Sequence, residues 1–295
     1  MVSFRFHLVS LVAVFLALGL GVVAGTTVIN RGIVRQLEQQ TGEFTQRARQ
    51  AEAQVNALTE FGEEVMGYVV EDRLTGAEVV IVTQEGTDEG AIASARRALE
   101  QAGASMLGVL TVSDRMALVD ESSRADLAGI VGRLATEDPE VLTAEAAGGM
   151  ATELAFGAEA ADVLPELIRE EFILVGGREV GDGVLRSLEG DEAVVVVAGG
   201  RDEPVIDPSG FLVPLVEGLV ADGARVAAAE GLDTRYPFVT LLRSDGAVNG
   251  AITTQDNVDQ VPGEVGLVLG VDEALRGTTG HYGVKDGASS LLPPP

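Results

Sequence analysis

An uninterrupted apolar segment near the N-terminus limits how this chain can fold. Residues 8–29 read LVSLVAVFLALGLGVVAGTTVI and include no charged side chain. At about 1.5 Å of rise per residue, a helix of this length crosses the roughly 30 Å hydrocarbon core of a bilayer. The segment therefore predicts a membrane helix, and the rest of the chain has to fold while attached to it.

A cleaved signal peptide is the alternative interpretation of this segment. Arg5 precedes the apolar run, and residues 22–24 (Val-Val-Ala) resemble a weak cleavage site. The run is long for a signal sequence and leads directly into helical periodicity, which favours an uncleaved anchor over residues 1–30. Arg31 and Arg35 balance Arg5, so the positive-inside rule does not settle the orientation. The very short leading tail favours a single-pass protein of the cell membrane whose C-terminal domain is extracytoplasmic.

Helical periodicity continues through residues 31–66 as a heptad repeat, which is typical of a coiled-coil stalk. Within the apolar segment, Gly21 and Gly25 lie one turn apart and let two helices approach closely. We therefore predict a parallel homodimer. The alternative is one amphipathic helix that packs on its own domain. The predicted interface residues are Gly21, Gly25, Val34, Leu37, Phe44, Ala51, Val55 and Leu58.

Between residues 67 and 286 the pattern changes to short β-branched runs that alternate with helical stretches. This alternation predicts a mainly parallel, three-layer α/β domain, followed by a disordered tail over residues 287–295. Predicted strands cover residues 79–83, 107–112, 193–198, 224–229 and 265–269, and predicted helices cover residues 89–102, 208–222 and 272–276. An Ala-rich helical region spans residues 122–170, with interruptions at Asp138-Pro139, Gly148-Gly149 and Pro165.

The composition excludes several classes of function. Forty-six acidic residues against 20 basic ones give a net charge of -26, which disfavours binding to nucleic acids. Because the chain has no cysteine, it cannot form disulfides or thiolate metal sites. Glycine pairs such as Gly199-Gly200 match neither of two phosphate-binding motifs, the Walker A motif and the Gly-x-Gly-x-x-Gly motif. We interpret these pairs as turns. With His281 as the one histidine outside the N-terminal tail, we find no Ser-His-Asp set and predict that the chain is not an enzyme.

Residues near the two ends carry a resemblance to a known family. The N-terminal segment reads FRFHLVSLVAVFLALG over residues 4–19. Near the C-terminus stand Asp256-Asn257-Val258-Asp259 and Gly280-His281-Tyr282-Gly283. On these motifs the chain resembles the MctB family of actinobacteria, the mycobacterial copper transport protein B family. The resemblance covers the whole chain in organisation, while its residue-level specificity lies at the two ends.

The resemblance implies a cell-envelope protein of copper transport or copper homeostasis, in the cell membrane or the outer membrane. It makes copper the metal to consider, although no cofactor is certain. If copper is bound, His281 would supply the imidazole, with Tyr282 and Asp286 as neighbours. A structural role for His281 is the alternative, because no soft ligands are grouped around it. The alternative function is a non-catalytic dimeric scaffold that binds a cell-wall remodelling or division partner through its coiled coil and α/β domain.

Overall fold

The computed structural model describes residues 4–157, 162–176 and 192–294, without the side chains of residues 4, 5 and 26–39. By its internal contacts the chain divides into two units, Met1–Phe61 and Gly62–Pro295. The first unit is helical throughout its described part, whereas the second contains a sheet with helices.

Helix α1 covers Phe4–Val70, a length of 67 residues, and includes the predicted apolar segment. Within the described residues, Phe6–Gly25 is the one helical stretch that is long and apolar enough to cross a membrane. The N-terminal apolar helix predicted from the sequence is therefore confirmed as a helix with the properties of a membrane span.

The final turns of α1 belong to the second unit and contribute to its core. A Cβ atom at Gly62 would lie 3.1 Å from Cγ1 of Val261. Met66 and Val70 are buried in a hydrophobic cluster against which Val261 also packs. The part of α1 that packs with the α/β core thus begins at Gly62, within the range 31–66 that the heptad pattern assigns to the stalk.

The second unit is built on a mixed, mostly parallel sheet. In the order β3-β2-β1-β4-β5-β6-β7, every neighbouring pair is parallel except β2 and β3. The strands are β1 (Glu78–Gln84), β2 (Ser105–Val112), β3 (Ile173–Gly176), β4 (Glu192–Val197), β5 (Arg225–Ala229), β6 (Thr253–Gln255) and β7 (His281–Tyr282).

Helices cover both faces of this sheet. The helices after α1 are α2 (Glu89–Gln101), α3 (Glu121–Ile130), α4 (Pro139–Phe156), α5 (Val163–Arg169), α6 (Leu212–Ala221), α7 (Val239–Ser244) and α8 (Val261–Leu275), with 3₁₀ turns at Asp114–Ala117 and Pro208–Gly210. One hydrophobic cluster lies under α3 to α7, and the other lies under α2, α8 and the end of α1.

Strand β1 shows why the sequence produces this layering. Its side chains alternate between the two clusters, with Val80 and Val82 in one and Val79 and Ile81 in the other. A strand buried on both faces forms a nearly continuous apolar run, and short apolar runs are the feature that predicted β1, β2, β4 and β5. The α/β class and these four strands are confirmed.

The prediction of a strand at residues 265–269 and a separate helix at residues 272–276 is wrong. Both segments lie within helix α8. A short apolar run is consistent with either a buried strand or a buried helix, and only packing decides between them. Here glycines at positions 263, 266 and 270 form one side of the helix, and a Cβ atom at any of them would overlap residues 253–257. Strand β6 therefore lies directly beneath the helix backbone.

Two of the predicted helix interruptions are also wrong, because Gly148-Gly149 lies inside α4 and Pro165 lies in the first turn of α5. A Cβ atom at Gly149 would come within 2.7 Å of Cγ2 of Val163, so the glycine allows α4 and α5 to approach closely. Asp138 instead begins α4, where its side chain accepts a hydrogen bond from the Glu140 amide.

Candidate functional site

The crevice between β1 and β4 is the usual position of a ligand site in a sheet of this topology. From β1 the chain crosses over to β2 on one side, and it later returns to place β4 on the other side. In open α/β sheets, ligands bind at the carboxyl ends of strands where the order reverses in this way. In this chain Gln84 ends β1 and is followed by Gly86 and Thr87, whereas Gly199 and Gly200 follow β4.

The chain itself fills this crevice. A Cβ atom at Gly200 would lie 2.7 Å from the carbonyl oxygen of Gly86, so the two turns touch through their backbones. Residues 203–206 cover the opening, where Gln84 Nε2 donates a hydrogen bond to the carbonyl oxygen of Ile206 at 3.2 Å. The arrangement leaves no room for a water molecule among the lining residues. Gly199 has a φ of 91°, as expected of a residue that turns the chain.

Two polar atoms remain without a hydrogen-bond partner in the closed crevice, within the residues that the structure describes. They are Oε1 of Gln84 and Oγ1 of Thr87, both on nearly buried side chains. An unpaired buried polar atom is unfavourable, so these two atoms do not stabilise the closed arrangement.

A second polar region lies at the carboxyl ends of β5 to β7 and is centred on a buried ion pair. Arg243 Nη1 lies 2.8 Å from Asp256 Oδ2, with 3% and 0% of the two side chains exposed. The same guanidinium donates from Nε to Oγ1 of Thr254 at 2.9 Å and from Nη2 to the carbonyl oxygen of Tyr282 at 2.6 Å. Asp256 Oδ1 accepts a hydrogen bond from the amide of Val284 at 2.6 Å. These bonds attach the C-terminal segment to the sheet.

The chain's single lysine forms the second ion pair of this region. Lys285 Nζ lies 2.8 Å from Oε1 of the buried Glu230 and also donates to the carbonyl oxygen of Gly231 at 2.6 Å. Glu230 Oε2 accepts hydrogen bonds from the amides of Phe238 and Val239 at 2.6 and 3.1 Å. We call the residues Glu230, Arg243, Thr254, Asp256, His281 and Lys285 the C-terminal polar network.

His281, the predicted metal ligand, is half-buried at the edge of this network. Its Nδ1 lies 3.0 Å from Oγ1 of Thr254. Burial, together with the nearby charge of Arg243, lowers the pKa of the imidazole. The described part of the chain contains no group of three or more His, Asp or Glu residues that could hold a metal ion. The role of His281 as a copper ligand stays a prediction.

The residues around His281 are explained by packing. Burial and the neighbouring Glu273 raise the pKa of Tyr282, whose hydroxyl donates to Glu273 Oε2 at 2.6 Å. A Cβ atom at Gly280 would overlap the Tyr282 hydroxyl, and one at Gly283 would overlap the Asp256 carboxylate. The carbonyl oxygen of Asp286 accepts a hydrogen bond from Arg243 Nη1 at 3.2 Å. The Gly280-His281-Tyr282-Gly283 motif thus fits the network closely.

The predicted dimer interface lies on an uncovered side of α1 wherever its side chains are described. Phe44, Val55 and Leu58 are among the exposed large apolar residues, and Ala51 is exposed between them. A Cβ atom at Gly21 or Gly25 would meet nothing within 4 Å. The predicted interface residues Val34 and Leu37 lie outside the residues whose side chains are described.

A family model described as "Copper transport outer membrane protein, MctB" matches residues 1–293. The chain belongs to the MctB family. Its relatives include a protein of Mycobacterium tuberculosis (strain H37Rv) that is 28% identical over 312 aligned residues, with 99% of each chain covered. A protein of Mycobacterium leprae (strain TN) is 28% identical over 326 aligned residues, with both chains fully covered. Both are named "Copper transporter MctB".

Two ion pairs of this MctB family member were missed by reasoning from its sequence. Arg243 and Glu230 lie in segments without a motif, and their partners are 13 and 55 residues away along the chain. One signal was present, since Lys285 is the only lysine among the 20 basic residues. A lysine that has to reach a buried carboxylate and two further oxygens uses its flexible stem and its three rotatable donors.

Proposed function

We propose that this chain is a membrane-anchored protein of the cell envelope that acts in copper transport or copper homeostasis. The observation that carries this proposal is the match of nearly the whole chain to the MctB family, whose curated relatives are named copper transporters. The candidate span Phe6–Gly25 supports the membrane attachment. The family description also makes the outer membrane a location to test.

In this proposal copper is cargo, and the chain acts on it as part of an assembly. Cu(I) favours several soft sulfur ligands, yet the chain has no cysteine, and its described residues include no group suited to a metal ion. The single candidate span found among the described residues cannot by itself enclose a pore, because a helix has to associate with others to line one. Several copies, or a second envelope protein, would complete the transport path.

The proposed topology has one membrane pass and the α/β unit outside the cytoplasm. The candidate span Phe6–Gly25 supports the membrane pass, and the side on which the α/β unit lies is the part of the proposal to test. Because the chain has no cysteine, a single cysteine introduced on the exposed surface of the α/β unit would report its side of the membrane through labelling with an impermeant maleimide.

We further propose that the α/β unit is non-catalytic and that two chains pair through a coiled coil of their α1 helices. The closed crevice between β1 and β4 supports the first statement, because a substrate has no space there. The exposed apolar side chains of α1 support the second, because a coiled coil buries such residues against a partner.

A dimeric scaffold that binds a cell-wall remodelling or division protein is the second candidate function. The observation that favours it is the combination of an uncovered apolar helix face with a closed crevice, since both suit protein contacts better than small-molecule chemistry. A scaffold of this kind would leave the copper content of the cell unchanged when it is lost.

The experiment that tests the copper role is deletion of the gene, followed by measurement of cell-associated copper by mass spectrometry after copper exposure. We expect copper content to change in the deletion strain, zinc content to stay constant, and the full-length wild-type chain to restore the original copper level. An unchanged copper content in the deletion strain would contradict the proposal and favour the scaffold.

Complementation with the variant His281→Gln then tests the predicted ligand. Full restoration would show that copper is handled without this imidazole. Failure to restore, at a protein level equal to that of the wild type, would make His281 a residue that contacts the cargo. Thr254→Val is the control, because it removes the hydroxyl partner of the same imidazole and leaves the ring in place.

A further inference from the structure

Helix α1 exposes an unusually apolar stripe between its membrane segment and the α/β unit. Phe44, Val55, Leu58 and Phe61 have between 59% and 70% of their surface exposed. Ala48 and Ala51 continue the same stripe, with steps of four, three, four and three residues from Phe44 to Leu58. Such steps keep apolar residues on one side of a helix and are the spacing of a two-stranded coiled coil.

The stripe departs from this spacing at its C-terminal end. The next position of an unbroken heptad would be Gly62, but a Cβ atom there would already be 3.1 Å from Val261 of helix α8. The space beside Gly62 is therefore filled by the chain's own α/β unit and is not open to a partner helix. Phe61, three residues after Leu58, is the exposed apolar side chain at this end. Two successive steps of three residues locally overwind a coiled coil.

The charged residues beside the stripe indicate the orientation of a partner helix. In a parallel coiled coil each g position faces the e′ position five residues further along the partner. With Ala48 at position a and Ala51 at position d, Arg47 is at g and Glu52 is at e. A parallel, in-register pair of helices therefore brings Arg47 of each chain next to Glu52 of the other. Within its own helix Arg47 lies 3.8 Å from Glu43, and both side chains are largely exposed, so this local pair is weak.

We infer that a second copy of this chain covers the stripe, parallel and in register, with the Arg47–Glu52 pair setting the register and Phe61 forming the last layer. This inference rests on the pairing proposed above. A second copy is the occupant because the candidate span Phe6–Gly25 and the stripe lie in the same unit of one helix. Two chains anchored in one membrane through that span present the same residues at the same height.

The absence of cysteine from the chain allows a direct test with single-cysteine variants of the full-length protein in membranes. Ala51→Cys lies in the stripe, and Ala53→Cys lies on the opposite side of the same turn. On mild oxidation with diamide, we expect Ala51→Cys to form disulfide-linked dimers at least ~10-fold faster, because a disulfide requires the two Cα atoms to lie within about 7 Å. Equal rates for the two variants would overturn the proposed pairing, whereas the copper measurement would still stand.

The position of the last layer is tested by Phe61→Cys against its neighbour Glu60→Cys. We expect the former to cross-link at a rate similar to that of Ala51→Cys and the latter to cross-link at the rate of Ala53→Cys. If Ala51→Cys cross-links while Phe61→Cys does not, the helices separate before Phe61. The dimer then stands, and the proposed last layer is wrong.

The register is tested by exchanging the two charges in the Ala51→Cys background. Arg47→Glu and Glu52→Arg should each slow cross-linking, because like charges then face each other across the pair. The double variant Arg47→Glu/Glu52→Arg should restore the rate. Since the Glu43–Arg47 contact is lost equally in the single Arg47→Glu variant and in the double variant, failure of the double variant to restore the rate would overturn the proposed register.

Discussion

The two polar regions at the carboxyl edge of the sheet are built in opposite ways. The C-terminal polar network joins buried charges through short hydrogen bonds, as in the Arg243–Asp256 pair. The crevice between β1 and β4 is closed by backbone packing and leaves Oγ1 of Thr87 without a partner among the described residues. Polar side chains therefore form most of the contacts in the first region, whereas in the second Gln84 donates one hydrogen bond to the Ile206 carbonyl oxygen and two polar atoms are enclosed without a partner among the described residues.

The closed crevice between β1 and β4 differs from the ligand sites that are common at this position in open α/β sheets. The reversal of strand order provides the usual location for a ligand, but residues 203–206 occupy it. The strands beyond it, β5 to β7, end in side chains that bind the chain's own C-terminal segment. These two parts of the carboxyl edge thus serve structure, which agrees with a protein whose proposed role depends on assembly.

The largest effect is expected from breaking the buried ion pair. Asp256→Asn leaves the guanidinium of Arg243 buried without a counter-charge, which typically costs about 3–5 kcal/mol of unfolding free energy. Denaturant unfolding of the full-length chain in detergent micelles measures this loss. The matched control is Asp233→Asn, because the Arg201–Asp233 pair has 68% and 72% of its side chains exposed and should contribute only about 0–1 kcal/mol. Equal losses for the two variants would contradict the contrast between buried and exposed pairs.

A smaller effect is expected when threonine is replaced by valine in each of the two polar regions. Thr254→Val removes a hydroxyl that bonds both Arg243 and His281, and should lower the unfolding free energy by about 1–3 kcal/mol. Thr87→Val removes a buried hydroxyl without a partner in the described part of the chain, so stability should change by less than about 0.5 kcal/mol or increase. The same unfolding experiment measures both variants. A large loss for Thr87→Val would show that the crevice depends on this hydroxyl.

The smallest expected effect is a pH dependence that arises from His281. Burial lowers the pKa of this imidazole in the folded chain from its ordinary value of 6.5, so the unfolded chain binds the proton more tightly. The contribution of His281 to stability is therefore fully present above pH 6.5 and is lost as the pH falls from there through the lowered pKa of the folded chain. Unfolding midpoints at pH 7.5 and 5.5 should differ less in His281→Gln than in the wild type. An identical pH dependence in the two proteins would show that the imidazole is not held in its neutral form.

Reasoning from sequence was most successful where the signal is local. The apolar length of α1 and the continuous apolar run of β1 both require only neighbouring residues, and both elements were predicted correctly. The same reasoning was wrong for α8, since a five-residue apolar run does not distinguish a buried strand from a buried helix. The short strands β6 and β7 were not predicted, because three and two residues are too few to show a period.

In the candidate sites, too, the sequence showed the local features and missed the contacts between distant segments. The sequence identified His281 and the Asp256-Asn257 segment as distinctive, and it showed no phosphate-binding fingerprint at Gly199-Gly200 after β4. It could not reveal that Asp256 pairs with Arg243, or that Lys285 reaches Glu230, because such contacts depend on how the ends of β5, β6 and β7 are brought together.

The apolar N-terminal helix, the α/β class and the absence of thiol chemistry follow from length, periodicity and composition, which are properties of the chain before it folds. The packing of the folded chain places α8 on β6 through its glycines, closes the crevice at the strand reversal, and ends the apolar stripe of α1 at Gly62, where the chain's own core begins. Each of these outcomes depends on which surfaces meet, and surfaces that meet are distant in sequence.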